Sequence, residues 1–103
     1  MKINKYQGTF EVLDTFAIRS RNQFYLIGKL TKGRIEENWF LNIPLNDSLD
    51  LTIRVHKIEA VEIASDDDEY ILLTTNCDEE AIDFYLALRI GGEYLPVSIE
   101  GLD

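Results

Sequence analysis

Apolar and polar residues alternate along most of the chain, the pattern that is typical of strands with one buried face. The alternation runs through residues 8–18, 39–43 and 51–55, whereas residues 23–30 carry apolar side chains in both phases and predict a strand that is buried on both faces. The first of these stretches places four apolar side chains in one phase, interrupted by a polar Asp14: Phe10, Val12, Phe16 and Ile18. Near His56 the phase slips, which predicts a β-bulge or a corner. Six or seven strands at a spacing of roughly ten residues predict an all-β barrel or sandwich.

Residues 82–90 admit two interpretations. The acids at 78–80 resemble the first turn of a helix, where negative charge is favourable. The apolar residues that follow recur at every second position, however, and a helix would scatter them around its axis. On that spacing we predict that residues 82–90 form a strand.

The length of 103 residues fits one domain, spanning 1–103. No apolar run reaches the roughly 18 residues of a membrane span, and the first residues lack the apolar stretch of a signal peptide. The only cysteine, Cys77, cannot form an internal disulfide, which fits a reducing compartment. We therefore expect a cytoplasmic protein without a membrane association.

Two glycines, Gly28 and Gly33, interrupt an otherwise strand-like run. Gly28 lies in mid-strand and indicates a bend or the close approach of another backbone. Gly33 can adopt the positive φ that a bulge or tight turn needs. A phosphate-binding loop is the functional alternative, but the run lacks the order G-x-x-x-x-G-K-[ST] and no helix follows it. The glycines therefore indicate architecture and not chemistry.

Residues 16–43, "FAIRSRNQFYLIGKLTKGRIEENWFLNI", resemble the β-barrel second domain of translational GTPases of the elongation factor Tu type. In that pattern a short loop leads into a strand, a Thr-Gly-Arg-Val-like segment, a glycine turn and a returning strand. The positions that match it are Gly28, Lys29, Leu30, Gly33, Leu41 and Ile43, with Asn38 at the place of the turn glycine. The resemblance implies an all-β fold: a closed or nearly closed antiparallel barrel of about six strands that docks onto other macromolecules.

The chain also departs from that family. It contains no P-loop and no GTPase signature, so GTP hydrolysis is not implied. The family's Gly-Arg-Gly loop is replaced by "RSRNQ" at 19–23, and Trp39 and Phe40 stand where the family often has acids. The contacts that the family's domain makes with aminoacyl-tRNA therefore do not carry over.

Charge is distributed unevenly within a net total of −9. Residues 1–57 contain nine Lys/Arg and six Asp/Glu, whereas residues 58–103 contain one basic residue and thirteen acids. Nucleic-acid binding normally needs a basic surface, because phosphate contacts supply most of the affinity. The composition therefore argues against general DNA or RNA binding and leaves room for a local basic patch in the first half.

That patch is the candidate binding surface. Its predicted members are Arg19, Arg21, Lys29, Lys32 and Arg34, with Trp39 nearby on the returning strand. Cations beside an aromatic ring could bind a protein or the end of an RNA. They could equally pair with the acids of this chain or face water. If the strand is regular, one of Trp39 and Phe40 points outward and the other enters the core.

No residue set specifies a reaction. One histidine and one cysteine, His56 and Cys77, do not support a catalytic pair, and a free cysteine is most often a small structural hydrophobe. The acids of "SDDDEY" at 65–70 lack the spacing of a calcium loop and are interpreted as the solvated tip of a hairpin. We expect no catalytic residue, no metal ligand and no cofactor.

The leading hypothesis is a non-enzymatic interaction module that binds a protein partner. One alternative is an acidic immunity or inhibitor protein that neutralises a basic toxin or nuclease. The other is an accessory domain that binds tRNA or ribosomal RNA. The sequence leaves the oligomeric state open.

Overall fold

Seven strands form one antiparallel sheet in the computed structural model, which describes residues 6–62 and 68–101. In chain order they are β1 Tyr6–Ile18, β2 Gln23–Gly33, β3 Phe40–Asn46, β4 Leu49–Arg54, β5 Lys57–Glu62, β6 Glu69–Asn76 and β7 Tyr94–Ser98. A 3-10 turn at Arg19–Arg21 joins β1 to β2, and a helix, α1, spans Glu79–Ala87. The order across the sheet is β4-β3-β7-β1-β2-β6-β5. The all-β class predicted from the alternation is confirmed.

The two outermost strands of this order, β4 and β5, are consecutive in the chain. Only Val55 and His56 separate them, so the sheet must curl until its two ends meet at this corner. The His56 amide donates to the Thr74 carbonyl at 2.8 Å, and the Thr75 hydroxyl donates to the Arg54 carbonyl at 2.9 Å. No ladder joins β4 to β5 within the described residues, so the sheet is not closed there. The predicted corner near His56 is present, whereas the predicted barrel closure is not confirmed.

The prediction of a strand at residues 82–90 is wrong. Helix α1 covers Glu79–Ala87, with the Asp78 carboxylate accepting a hydrogen bond from the Ala81 amide at 2.9 Å. Asp78 is therefore the N-cap, and Glu79 and Glu80 occupy the first turn, where the helix dipole favours negative charge. These local signals at the start of the segment decide its conformation.

The apolar residues of α1 pack with helical and not with strand periodicity. Ile82 is completely buried, and Tyr85 and Leu86, three and four residues later, pack against the same core. Phe84, which shares the phase of Ile82 in the strand interpretation, is 47% exposed. The chain leaves the helix through Arg89 at φ 50°, and Ile90 returns to the core. The apolar residues at every second position therefore belong to a helix and to the turn that follows it, and not to a strand.

The core lies between the curled sheet and α1. Its largest fully buried side chains come from every part of the fold: Phe10, Val12, Phe24, Leu26, Leu41, Ile53, Val55, Leu73, Ile82, Leu95 and Val97. Burial of each large side chain contributes about 1.5–3 kcal/mol relative to exposure. A domain of this size therefore needs no disulfide or metal to hold it together.

One central strand, β7, contains a proline, and a side-chain amide from β3 supplies hydrogen bonds beside it. The β3–β7 ladder ends after Leu41↔Val97, next to Pro96, which has no N–H to donate. Beyond that point the Asn42 amide donates to the Pro96 carbonyl at 3.3 Å and to the Ser98 hydroxyl at 2.8 Å. Asn42 and Ser98 are both buried, so these bonds replace part of the missing ladder.

Residues 65–67 of the predicted acidic hairpin tip lie outside the described residues, whereas Asp68 and Glu69 are described and Glu69 begins β6. The strands on either side of it, β5 and β6, pair antiparallel from Lys57↔Thr74 to Glu62↔Glu69. Within the described ranges, none of the helical segments has the length and apolar character needed to cross a membrane.

Replacing Gly28 by alanine is expected to destabilise the fold by about 3 kcal/mol or more, because the change forces two backbones apart. A Cβ at this position would lie 1.9 Å from the Glu11 carbonyl oxygen and 2.9 Å from the Phe10 ring. Urea unfolding monitored by circular dichroism measures the change. The matched control is Gly91→Ala, where the nearest atom is the Leu13 carbonyl oxygen at 3.4 Å. Equal unfolding midpoints for the two variants would contradict this close approach.

Replacing Asp78 by alanine is expected to cost about 1 kcal/mol, since it removes the N-cap acceptor of α1. Asp78→Asn keeps a capping oxygen and should retain most of the stability. Thermal unfolding of both variants, together with the helical signal in far-ultraviolet circular dichroism, provides the comparison. An alanine variant as stable as the wild type would show that residues 79–87 do not depend on a helix cap.

Candidate functional site

A shallow groove of about 330 Å³ crosses the outer face of the sheet over β1, β2, β6 and β5. We call it the outer-face groove. Its lining residues are Phe16, Ile18, Arg21, Gln23, Tyr25, Lys57, Glu59, Leu72 and Thr74. The groove contains one of the predicted patch residues, Arg21, together with aromatic, aliphatic and charged side chains. Its volume is at the lower end of the range for small-ligand pockets.

The register of four strands builds the groove. Phe16 on β1 lies opposite Tyr25 on β2, Tyr25 lies opposite Thr74 on β6, and Thr74 lies opposite Lys57 on β5. Residues opposite one another in antiparallel strands share a face. This row of four side chains therefore runs straight across the outer surface.

Phe16 reaches the outer face because β1 contains a bulge. Val12 pairs with Gly28 and Asp14 pairs with Ile27, which leaves Leu13 as an extra residue in β1. The extra residue reverses the phase of the strand, so the expectation that Phe16 shares the inward phase of Val12 is wrong. Its ring is 42% exposed. The sequence signal that could have shown this is the adjacent apolar pair Val12-Leu13 followed by Asp14.

The exposed ring rests on a rigid support. Phe16 and Tyr25 stack with centroids 4.8 Å apart and planes 10° apart, and Tyr25 is buried. The Tyr25 hydroxyl donates to the Gln23 side-chain oxygen, and the Gln23 amide donates to the Asn76 side-chain oxygen at 3.0 Å. A ring held in this way loses little conformational entropy when a partner covers it.

The charges at the groove differ in whether they already have a partner. Lys57 forms an ion pair with Glu59 at 2.7 Å, and the hydrogen bond and negative charge of Glu59 raise the pKa of the exposed Lys57. Arg21 is exposed and forms no ion pair with another residue of the described ranges. Arg21 is therefore available to an anion of a binding partner.

Three other predicted cations are held by acids of the chain itself. Arg19 pairs with Asp83 on α1 at 2.8 Å, and Arg34 pairs with Glu36 at 2.9 Å. Lys29 pairs with Asp68 and lies 4.9 Å from the centre of the Tyr70 ring. These pairs are the internal alternative that the sequence left open, and they reduce the positive potential that the patch presents.

The predicted patch is also divided along the length of β2. Arg19 and Arg21 precede the strand, whereas Lys32 and Arg34 lie at its far end. An eleven-residue strand separates the two groups by roughly 30 Å. Lys32 is exposed and lines a different cleft, beside Gly33 and Pro96. The structure therefore brings together Arg19 with Arg21 and Lys32 with Arg34, but it does not form one surface from them.

Trp39 and the turn residues lie at the far end. The Arg34 guanidinium is 5.2 Å from the centre of the Trp39 ring, which is half-buried, while Phe40 is buried. Gly33 has φ +69° and Asn38 has φ +73°, so both adopt the left-handed conformation. The Asn38 amide donates to the Val55 carbonyl at 2.6 Å. These residues shape turns and are remote from the outer-face groove.

His56 and Cys77 have separate structural roles. The Nδ1 atom of His56 accepts a hydrogen bond from the Asn76 amide at 3.0 Å. Cys77 is half-buried, and burial, followed by the negative charge of Asp78, raises the pKa of its thiol. Both influences disfavour the thiolate that a nucleophile needs. Within residues 6–62 and 68–101, no group of three or more His, Cys, Asp or Glu side chains could hold a metal ion.

Comparison of the chain with protein-family models, with curated proteins and with solved structures gives no match. A functional argument for this chain therefore depends on its own geometry.

Alkylation of Cys77 by iodoacetamide is expected to be slower at pH 7–8 than alkylation of a free cysteine. The raised pKa leaves less thiolate at these pH values, so the rate should rise with a midpoint above the ordinary thiol value of about 8.5. Asp78→Asn should lower this midpoint, because it removes the neighbouring charge while it keeps the cap. A wild-type midpoint below the ordinary value would contradict the burial argument.

Proposed function

We propose that the chain is a non-enzymatic interaction module that binds a protein partner in the cytoplasm through the outer-face groove. The observation that carries this proposal is the exposed Phe16 ring, which stacks on the buried Tyr25 beside Arg21, a cation that pairs with no acid among the described residues. Aromatic and arginine side chains are the ones that most often dominate the binding energy of protein interfaces. A pre-formed anchor of this kind suits a flat or convex protein surface.

The barrel-like character of the fold supports the same proposal. The resemblance of residues 16–43 to the second domain of elongation factor Tu-type GTPases implies a docking domain, and the corner at Val55–His56 brings both ends of the sheet together. A closed barrel of this kind, without the GTPase domain, is the architecture that we propose for the whole chain. Fold alone does not specify function, so the argument rests on the groove.

RNA is a weaker candidate for the groove than protein is. Phosphate contacts need several free cations, but Arg19, Lys29 and Arg34 are paired with acids of the chain. Lys57 in the groove is paired as well. The net charge of −9 adds a long-range repulsion toward a polyanion.

The test is affinity capture from a native extract with the wild-type chain and with Phe16→Ser. Loss of the exposed ring should weaken binding of a captured protein by about tenfold or more. The matched control is Leu49→Ser, because Leu49 is 56% exposed on β4, outside the groove. A protein whose binding depends on Phe16 and not on Leu49 supports the proposal. Capture of no protein, or equal capture by both variants, contradicts it.

The two alternative functions predict different results in the same experiment. An inhibitor of a cationic toxin should lose its partner when the α1 acids Glu79 and Glu80 are changed to glutamine, and not when Phe16 is changed. An RNA-binding domain should bind a labelled single-stranded RNA at low salt and lose it when Arg21 and Lys32 are changed to Glu. Either result would contradict the proposal that the groove binds a protein and would support the corresponding alternative function.

A further inference from the structure

The outer face of the sheet carries opposite charges on the two sides of the exposed Phe16 ring: Arg21 lines the groove, and Asp14 lies on the same face next to the groove. Asp14 lies two residues before Phe16 on β1 and shares its face, about 7 Å away along the strand. Arg21 lies beyond Phe16 on the other side, in the turn that follows β1. The order along this surface is therefore acid, aromatic ring, cation.

Asp14 and Arg21 are both exposed, and neither forms an ion pair with a residue in the described ranges. Within those ranges the Asp14 carboxylate accepts one hydrogen bond, from the adjacent Thr15 amide at 2.8 Å. The neighbouring cation Arg19, by contrast, is paired with Asp83. The charges that flank the ring thus remain available for an external contact.

A surface with this order is complementary to itself. In a two-fold symmetric contact, residue i of one copy meets residue j of the other, and j meets i. An axis through the Phe16 ring stacks the two rings and brings Arg21 of each copy to the partner's Asp14. One contact therefore forms two equivalent ion pairs around an apolar centre.

We propose that the outer-face groove binds a second copy of this chain, with Phe16 at the two-fold axis and Arg21 of each copy paired with the partner's Asp14. The inference rests on the proposed function of the groove as a docking surface and names its occupant. The geometry points to a weak dimer, because four strands give a face about 19 Å wide and residues 14–18 extend it by about 13 Å. Such a face covers roughly 250 Å² on each copy, about 500 Å² in total, which is smaller than a standard specific interface, so only a transient dimer with a Kd on the order of 100 μM is expected.

Charge balance favours a second copy over the other occupants. Two chains of net charge −9 repel each other, so self-association needs a face that is locally neutral. On this face Arg21 balances Asp14, and Lys57 is already paired with Glu59 of the same chain. A phosphate backbone would meet both acids, and a strongly cationic protein would meet both cations. In the self-contact each Arg21 meets the partner's Asp14, while Lys57 and Glu59 remain paired within each copy.

The test is sedimentation equilibrium of the full chain at about 10 μM to 1 mM, for the wild type and for two charge reversals. Arg21→Glu places acids against the partner's Asp14, and Asp14→Arg places cations against the partner's Arg21. Each variant alone should therefore raise the dimer Kd by about tenfold or more. Lys32→Glu changes the net charge as Arg21→Glu does but lies outside the groove, so it should behave like the wild type.

Mixing the two reversed chains gives the decisive result. In a heterodimer of Arg21→Glu with Asp14→Arg, both contacts again join an acid to a cation, so an equimolar mixture should recover a wild-type Kd. Far-ultraviolet circular dichroism verifies that each variant is folded. A structural defect in either variant would not be repaired by mixing, and recovery therefore supports a contact between copies.

Other outcomes overturn the inference. A wild-type chain that remains monomeric at 1 mM rules out the second copy, as does a mixture that stays monomeric while the wild type dimerises. If the monomer still captures a different protein through Phe16, the proposed function is retained and only the inference that a second copy binds the groove is contradicted. If Phe16→Ser has no effect on capture or on association, the groove is not a docking surface and both fall.

Discussion

The bulge at Leu13, opposite Gly28, is the constraint on which the rest of this fold depends. It divides β1 into two halves with opposite phases, so Val12 faces the core while Phe16 faces outward. Gly28 permits the two strands to approach, because any larger residue would meet the Glu11 backbone. Without the bulge, Phe16 would compete for the interior and the outer face would lose its central ring.

The same bulge determines what lies beside β1. Before it, β1 pairs with β7 from Tyr6↔Ser98 to Glu11↔Tyr94. At the bulge, Val12 bonds instead to the loop after α1: its amide donates to the Glu93 carbonyl at 2.9 Å, and its carbonyl accepts from the Gly92 amide at 2.7 Å. Beyond it, the ion pair between Arg19 and Asp83 ties the end of the hairpin to α1. A single extra residue thus leaves the position beside β1 to a helix and not to another strand.

Much of the sheet could be predicted from the sequence, because local alternation and turn residues determine strands. The corner at His56 follows from a slip in the alternation, and the alternation requires one of Trp39 and Phe40 to enter the core, which the structure shows to be Phe40. Pro96 lies within β7 and does not end the strand. Helix α1 could not be predicted from spacing alone, since Ile82, Leu86 and Ile90 satisfy period two and a four-residue period equally well. The capping signal at Asp78 was the information that distinguished the two.

The candidate site was harder to predict, because it depends on contacts between residues that are distant in the sequence. Cations appear in a sequence as a patch, but only the folded chain decides which acids neutralise them. Arg19 and Arg21 are two residues apart, yet Arg19 meets Asp83 across the fold and Arg21 meets no acid of the described ranges. The exposed ring beside Arg21 depends on a bulge that reverses one strand, a tertiary effect of backbone fit at Gly28. The proposed binding surface therefore depends on a local deviation from the alternation that builds the sheet.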